Sequence, residues 1–451
     1  MNNDSRELTG WATSPDRPVP TLAAALAAAR PLVTGRVTAV VGLSVTAAGI
    51  AAMVGEVVRI GTGPAAVDAE VVALDGERIH CLPLGPVAGI ALGCPVTGTG
   101  LPLTVQVGPA LRGRVLDGLG RPIDGGPELS GCVQVPVDAA PPPALARHRI
   151  AVPLPLGVRA LDTMLTCGRG QRMGIFAGSG VGKSSLLSMI TRGTAAQITV
   201  VALVGERGRE VREFLDNDLG PEGLARSVLV VATSDQPPLV RLRAGFVATR
   251  IAEWYRDQGM DVLLLMDSLT RAALAQREIG LSVGEPPATR GYPPSVFALL
   301  PRLLERAGPG EVGSITGLYT VLVEGDDHDE PIADTARAVL DGHVVLDRRL
   351  ATAGHFPSID VLESVSRVAG AVTTPGQRTL VTRLRRLLAA HRDTRELAEI
   401  GAYVPGTNPD ADTARALWPG IQAFLTQELD TPSTAADAWS ALAALLAEGE
   451  S

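Results

Sequence analysis

The sequence predicts a three-part chain with an N-terminal β-barrel, a central α/β domain and a C-terminal segment that is entirely helical. Three observations predict this order. Residues 31–105 alternate Val and Ile with Gly and Thr, residues 106–375 contain short aliphatic runs separated by helical stretches, and residues 376–451 show helical periodicity without a strand signal. A chain of 451 residues is long enough for several domains with full-sized cores.

The N-terminal region divides into an arm and a barrel. The first residues are polar, and TLAAALAAAR after them predicts a short helix, so residues 1–30 are expected to form a loosely attached arm. Runs such as GEVVRIG and LPLTVQVG then predict short strands with glycine-containing turns. Residues 37–55 carry no charge and resemble a membrane span, but their Gly, Thr and Ser content favours strands and turns of the barrel.

The central domain contains five aliphatic runs of the kind that form parallel strands buried on both faces. They are RMGIFAG, ITVVALVGE, SVLVVATS, VLLLMDS and GSITGLYTVLV. In the C-terminal segment, QRTLVTRLRRLLAAHRDTRELAEIG and TARALWPGIQAFLTQEL predict helices. We expect a frayed tail after Thr431.

Charge and composition exclude several classes of protein. The net charge is -8 and the isoelectric point about 5.4, so the chain has no general attraction for nucleic-acid phosphates or anionic lipid. Aromatic residues make up 3% and are not interleaved with basic ones, which argues against stacking on single-stranded nucleic acid. The cysteines lack a C-x-x-C pair, so we expect reduced thiols in a cytoplasmic protein. They are Cys81, Cys94, Cys132 and Cys167.

The stretch GIFAGSGVGKSSLL has the spacing of a phosphate-binding P-loop (Walker A motif) between a strand and a helix. Its glycines allow successive backbone N–H groups to surround phosphate oxygens, and the following helix adds its positive end. The alternative is a glycine-rich turn without a ligand, which the flanking strand and helix disfavour. The nucleotide-binding residues predicted by this motif are Ala177, Gly178, Ser179, Gly180, Val181, Gly182, Lys183, Ser184 and Ser185.

Two side chains of this loop have distinct predicted roles. Lys183 is expected to reach the terminal phosphates, and Ser184 to offer its hydroxyl to Mg²⁺. Lys183 is the only lysine among 40 basic residues. The broad planar fork of an arginine would crowd the narrow loop, whereas an ammonium is a compact charge on a flexible stem. This difference explains why lysine occurs only here.

Two further buried runs are predicted to deliver charged side chains to the same site. Asp267 ends an apolar run and is expected to hold the water shell of Mg²⁺, with Arg271 following it. Glu206 and Arg207 also end a buried run, and we expect Glu206 to orient or deprotonate the attacking water and Arg207 to contact the γ-phosphate. The charges that follow are interpreted as a solvated run: Arg209, Glu210 and Arg212.

Several motifs, in order, resemble the rotary and export ATPases related to the catalytic subunits of the F-type ATP synthase. They are LRGRVLDGLGRPIDG, the P-loop, GERGRE, the strand that ends at Asp267, GEPPATRGYPPSVF and FPSIDVLESVSR. The resemblance covers roughly residues 30–430. Within the family, the chain is most similar to flagellar protein-export ATPases, and the injectisome ATPases of non-flagellar type III secretion share most of these motifs.

The resemblance implies an α/β P-loop (RecA-like) ATPase core, flanked by the barrel and the helical domain, that hydrolyses ATP with Mg²⁺. It also implies a homohexamer in which Arg367, in the motif ESVSR, acts as an arginine finger in the neighbouring subunit's site. Phe356 matches an aromatic residue that packs on adenine, with core packing as the alternative, and Arg271 joins it in the nucleotide-binding set. The presence of Glu206 indicates a catalytic subunit.

The family further implies partners and a location. These are a stator-like regulatory protein at the N-terminal arm, a central-stalk coiled-coil protein, a membrane export gate and chaperone–cargo complexes, but no nucleic acid. Through them the protein would associate peripherally with the cytoplasmic face of the inner-membrane export apparatus. Residues 1–20 do not match the usual regulator-binding segment. The alternatives are an injectisome ATPase, a catalytic subunit of a proton-translocating synthase, a hexameric RNA translocase, and a nucleotide-binding scaffold without turnover.

Overall fold

The computed structural model describes residues 33–323 and 330–449. The arm predicted for residues 1–30 lies outside the described residues. No described helix combines the length and the apolar character needed to span a bilayer.

Six strands form the predicted N-terminal barrel. They are β1 (Thr34–Val41), β2 (Ser44–Ala48), β3 (Glu56–Ile60), β4 (Val67–Asp75), β5 (Arg78–Pro83) and β6 (Pro95–Pro102). The barrel closes in the order β1-β2-β5-β4-β3-β6, and all the pairings are antiparallel. Alternate residues such as Val45, Val58 and Val71 are fully buried inside it, as the two-residue period of a strand requires. The uncharged residues 37–55 belong to this barrel, as predicted.

A nine-stranded sheet forms the central domain, and it contains all five predicted runs. Its strands are β8 (Val115–Asp117), β10 (Arg172–Ala177), β11 (Ile198–Glu206), β12 (Ser227–Thr233), β13 (Asp261–Asp267), β14 (Gly308–Pro309), β15 (Ser314–Leu322), β16 (Gly342–Leu346) and β17 (Ile359–Ser366). The order is β17-β16-β10-β15-β13-β11-β12-β8, with β14 beside β15. Pairing is parallel from β16 to β8, while β14 and β17 are antiparallel. Two remaining strands, β7 (Thr104–Val107) and β9 (Val133–Pro136), pair separately.

Helices cover both faces of this sheet. They are α1 (Arg159–Met164), α2 (Lys183–Gly193), α3 (Gly208–Glu213), a π-helix (Phe214–Leu219), α4 (Gly220–Ala225), α5 (Pro238–Asp257), α6 (Leu269–Ser282), α7 (Pro294–Leu304), α8 (Pro331–Val339), α9 (Arg348–Thr352) and α10 (Ala369–Val372). In β11, Val200 and Ala202 share one core with Phe246 of α5, whereas Val201 shares the other core with Leu186 of α2. The sheet is therefore buried on both faces, as its aliphatic runs predict.

The C-terminal segment is helical, as predicted, but it extends further than expected. Its helices are α11 (Pro375–Glu399), α12 (Pro409–Ala416), α13 (Trp418–Leu425) and α14 (Ala435–Glu448). The prediction of a frayed tail after Thr431 is wrong, because α14 packs Leu442 and Leu446 into the core that lies on the α2 face of the sheet. Thr434 caps this helix by accepting a hydrogen bond from the Asp437 N–H at 3.1 Å. The domain limits drawn at residues 105 and 375 stay predictions.

Candidate functional site

The predicted P-loop occupies residues 178–182, between the end of β10 and the start of α2. Gly180 and Gly182 have φ values of 76° and 90°, in the left-handed region that glycine adopts without strain. A Cβ atom at position 182 would also lie 3.1 Å from a ring carbon of Phe356. A side chain at this position would therefore be strained in conformation and would have to displace the Phe356 ring.

A cavity of about 630 Å³ lies above the loop, at the carboxyl edge of the parallel sheet. It is lined by most of the predicted loop residues together with Glu206, Arg207, Asp267 and Arg271. These four side chains come from the ends of β11 and β13 or from the residues just after them, because the carboxyl ends of adjacent parallel strands share one edge. The structure therefore brings these four side chains and the P-loop to one cavity.

Lys183 and Asp267 form the central ion pair of this cavity. The Lys183 Nζ atom lies 2.5 Å from each carboxylate oxygen of Asp267. Asp267 Oδ1 also accepts a hydrogen bond from the Thr320 hydroxyl at 2.6 Å. The lysine charge is thus neutralised within the chain, and its flexible stem allows the ammonium to change partner when phosphate enters.

Glu206 is buried at the end of β11, with 6% of its surface exposed. Burial raises the pKa of its carboxyl to about 7; a hydrogen bond with Glu210 and the charge of Asp267 act in the same direction, while Lys183 and Arg271 oppose them. Glu206 Oε1 has no hydrogen-bond partner within the described residues and lies 3.8 Å from Lys183 Nζ. A carboxylate with this pKa and an unengaged oxygen can bind water and accept a proton near neutral pH.

Arginines surround this carboxylate. Arg271 Nη1 lies 3.3 Å from Glu206 Oε2 and also donates to the Gly205 carbonyl. Arg207 lines the cavity, and 74% of its side chain is exposed. Its Nη1 atom lies 3.4 Å from Glu210 Oε1. Both guanidinium groups are therefore placed to contact a bound anion.

Glu210 corrects one sequence interpretation. The sequence pattern places it in a solvated charge run, but it lines the cavity and its hydrogen bond with Glu206 lowers its pKa. The reason is that α3 begins at Gly208, so one turn of helix carries Glu210 back towards the end of β11. The other two charges of the run form exposed pairs on the helix surface, Arg209 with Glu213 and Arg212 with Asp216.

A second cavity, of about 620 Å³, adjoins the start of α2. Phe356 lines it with 43% of its surface exposed, so this ring is not part of the core. Arg159 and Gln427 line it as well, and the Gln427 N–H donates to the Phe356 carbonyl at 2.9 Å. A flat aromatic ring at the mouth of an open cavity is suited to stack on a nucleobase.

The remaining predicted residue, Arg367, is not in this chain's own cavity. It follows β17, is exposed, and donates from Nη2 to the Arg337 carbonyl at 3.2 Å. One chain therefore does not bring Arg367 to its own P-loop.

Sequence reasoning missed two residues that contact the P-loop. Arg348 lines the larger cavity and donates to the Ser179 carbonyl, and Ser358 donates to the Val181 carbonyl. Arg348 lies outside the motifs named above, and Ser358 lies within FPSIDVLESVSR, where it was given no role. Their distance from the loop along the chain left no signal that could identify them.

The residues at the loop are compatible with Mg²⁺. Ser184 and Asp267 supply a hydroxyl and a carboxylate on one wall of the cavity. Among the described residues, no group of three or more His, Cys, Asp or Glu side chains could hold a metal ion alone. Mg²⁺ is suited to such a site because it is bound by few protein oxygens together with water and substrate phosphates.

Two family models match the chain. The nucleotide-binding domain of the ATP synthase alpha/beta family matches residues 157–366, and the C-terminal domain of the T3SS EscN ATPases matches residues 373–444. The two matches fall on the central sheet and on the C-terminal helices.

Whole-chain relatives agree with these matches. The chain is 51% identical over 431 residues to the flagellum-specific ATP synthase of Pseudomonas aeruginosa, covering 94% of this chain and 95% of the relative. It is 50% identical over 398 residues to the type 3 secretion system ATPase of Xanthomonas euvesicatoria, covering 88% and 90%.

The fold is also shared with solved structures. The assembled ATPase EscN from the type III secretion system of enteropathogenic E. coli matches with a TM-score of 0.87 and 44% identity, over 91% of this chain and 100% of EscN. EscN in complex with its central stalk EscO matches with a TM-score of 0.85. The chain therefore belongs to the family of flagellum-specific ATP synthases and type III secretion ATPases, and it is an ATPase with an N-terminal β-barrel, a P-loop core and a C-terminal helical domain.

Proposed function

We propose that this ATPase hydrolyses Mg-ATP to assist the export of flagellar proteins, with Glu206 as the residue that activates water. The observation that carries the proposal is the buried Glu206 carboxylate, whose Oε1 has no hydrogen-bond partner in the described part of the chain and faces Lys183. A buried carboxylate oxygen without a hydrogen bond destabilises the fold. We would not expect such a group in a scaffold that only binds nucleotide, because it would have a cost and no function there.

The chemistry follows from the positions of the side chains. Glu206 orients the attacking water and accepts its proton, which a pKa of about 7 allows near neutral pH. Lys183 exchanges Asp267 for phosphate oxygens, and Arg207 and Arg271 balance the charge of the polyphosphate. Ser184 and, through water, Asp267 would hold Mg²⁺, which neutralises phosphate charge when bound.

The base of ATP occupies the cavity beside Phe356 in this proposal. The exposed ring and its closeness to Gly182 support the assignment, because the base must continue from phosphates held at the same loop. Arg159 and Gln427 border the cavity, and Arg159 Nε donates to the Phe424 carbonyl of α13 at 3.1 Å.

The active form is proposed to be a homohexamer in which Arg367 completes the neighbouring subunit's site. Its exposure and its absence from this chain's own cavity support action in trans, as does the assembled state of EscN. Mixing Arg367→Ala subunits with Glu206→Gln subunits should restore part of the ATPase activity, because some hybrid interfaces then hold both intact residues. If no mixing ratio restores turnover, Arg367 does not act across the interface.

Partners and location extend the same proposal. A central-stalk coiled coil is supported by the EscN complex with EscO, and by exposed Leu397 and Ile400 near the end of α11. A stator-like regulator at residues 1–30, a membrane export gate and chaperone–cargo complexes stay predictions, as does the position at the cytoplasmic face of the inner membrane. A nucleic-acid partner is not proposed, and RNA-stimulated turnover would contradict this.

The flagellar role is supported by flagellum-specific relatives in Pseudomonas aeruginosa and Bacillus subtilis, at 51% and 49% identity. The type 3 secretion system ATPase of Xanthomonas euvesicatoria is 50% identical to this chain, so export through an injectisome is the second candidate function. Filaments counted by electron microscopy distinguish the two in a deletion strain of the source organism. We expect deletion to abolish filaments and only the wild-type chain, not Glu206→Gln, to restore them. Unaffected filaments would favour injectisome cargo.

A further inference from the structure

The carbonyl groups of three alternate P-loop residues are held by hydrogen-bond donors from outside the loop. Ala177 O accepts a hydrogen bond from the Val323 N–H at 3.0 Å. Ser179 O accepts one from Arg348 Nη1 at 3.1 Å, and Val181 O accepts one from the Ser358 hydroxyl at 2.5 Å. The first donor is the backbone N–H of the residue that follows β15, whereas the other two donors are side chains.

Each of these carbonyls shares a peptide plane with the N–H group of the following glycine. The three peptide bonds are trans, so the C=O and N–H of each plane point in opposite directions. Donors that draw the carbonyls of residues 177, 179 and 181 outward therefore turn the N–H groups of Gly178, Gly180 and Gly182 the other way. That is the arrangement in which successive amides of a P-loop receive phosphate oxygens.

Glycine makes this external control necessary. Because it lacks a Cβ atom, glycine adopts positive and negative φ almost equally well, so a peptide plane that precedes a glycine turns over more easily than one that precedes another residue. A plane that turned over would point its carbonyl oxygen, instead of its N–H, at the phosphate. A donor fixed on the outer side of the loop favours the orientation that binds the anion.

Both side-chain donors come from one segment, residues 347–358, which connects β16 to β17. At its start, Asp347 caps α9 by accepting a hydrogen bond from the Leu350 N–H at 2.9 Å, which fixes the backbone that carries Arg348. At its end, Ser358 is 1% exposed and precedes β17. The donors are thus held by the fold and not by the loop.

We propose that Arg348 and Ser358 are positioning residues that set the direction of the phosphate-binding amides before the nucleotide arrives. This inference rests on the proposed binding of ATP phosphates by the loop. Arg348 acts through its hydrogen bond to the Ser179 carbonyl, and its charge is not the main contribution. The segment that carries Phe356 therefore also sets the affinity for phosphate.

The test measures binding of fluorescent mant-ADP to the full chain and its displacement by inorganic pyrophosphate, which has no base. Loss of one hydrogen bond in Ser358→Ala or Arg348→Ala should weaken both ligands by roughly fivefold, and the double variant by roughly 25-fold. Arg348→Gln retains a donor without the charge and should bind within about twofold of the wild type. KM for ATP should rise by a similar factor, with kcat at saturating ATP changing less than KM.

Two matched control variants show whether weaker binding comes from loss of the contact to the loop or from a less stable fold. Ser364→Ala also removes a buried hydroxyl, one that donates to the Asp360 carbonyl at 2.5 Å on β17, away from the loop. Arg349→Ala removes the neighbouring arginine, which lines a different cavity. Both controls should bind pyrophosphate like the wild type.

Two results would overturn the inference. One is Ser358→Ala binding pyrophosphate as tightly as Ser364→Ala. The other is Arg348→Gln binding as weakly as Arg348→Ala, since the charge would then act on the phosphates directly. A Lys183→Ala variant tests the proposed function separately: pyrophosphate competition that survives in this variant would show that the loop is not the phosphate site.

Discussion

Two buried glutamates of this ATPase differ in how completely their oxygens are satisfied. Glu253, on α5, is 1% exposed, and Arg306 donates to both of its oxygens at 2.7 Å. Arg250 Nη1 also donates a hydrogen bond to Glu253 Oε2 at 3.1 Å. Glu206 is 6% exposed, yet its Oε1 has no hydrogen-bond partner among the described residues. At similar burial, Glu253 therefore has hydrogen bonds on both oxygens, whereas Glu206 lacks one on Oε1.

The difference separates a structural role from a chemical one. Removal of a buried carboxylate that is paired on both oxygens leaves its arginine uncompensated, so Glu253 holds α5 to Arg306, which follows α7. A buried carboxylate with an open oxygen is poorly placed for stability but well placed to bind water. The comparison predicts that substitutions of the two residues act on different properties.

The largest expected effect is on turnover. Glu206→Gln should lower kcat for ATP hydrolysis by at least about 100-fold, because an amide cannot accept the proton of water. Binding of mant-ADP and the unfolding temperature should stay close to those of the wild type. Steady-state hydrolysis by the purified variant checks this, and turnover at the wild-type rate would remove Glu206 from the role of base.

The next effect is on stability. Glu253→Gln should lower the free energy of unfolding by about 3 kcal/mol, because it leaves the buried Arg306 charge uncompensated. Thermal or denaturant unfolding measures the change, and kcat per folded subunit should be unaffected. An equal loss of stability in Glu206→Gln would erase the distinction between the two residues.

The smallest effect concerns pH. The pKa of Glu206 is raised from 4.5 to about 7 in the folded chain, so between these values the folded chain binds more protons than the unfolded one. Its contribution to stability therefore falls as pH rises from about 4.5 to 7. Unfolding temperatures from pH 5 to 8 should show Glu206→Gln gaining about 2 °C relative to the wild type. A constant difference across this range would contradict the raised pKa.

Local pattern was enough to predict the parts of the site that lie within one motif. The P-loop, Glu206 and Asp267 each stand at the end of an aliphatic run, and parallel pairing of β10, β15, β13 and β11 brings those ends to one edge. The barrel and the five central strands follow equally from the alternation and length of apolar runs.

Long-range contacts left no such pattern. Arg348 and Ser358 reach the loop from 169 and 177 residues away, so no spacing in the sequence connects them with it. Glu210 was misread because its orientation depends on where α3 begins. The α14 helix was missed because its sequence, rich in alanine and poor in charge, lies next to the end of the chain.

The single lysine has a practical consequence. A reagent that acylates the neutral amine form of lysine has one lysine target in this protein, Lys183, since every other basic side chain is a guanidinium or an imidazole. That amino group lies 2.5 Å from Asp267 Oδ1, and under the proposed function it exchanges this carboxylate for phosphate. Covalent labelling of lysine thus reports on one position in the whole chain, and the chain carries a built-in chemical reporter of what occupies its P-loop.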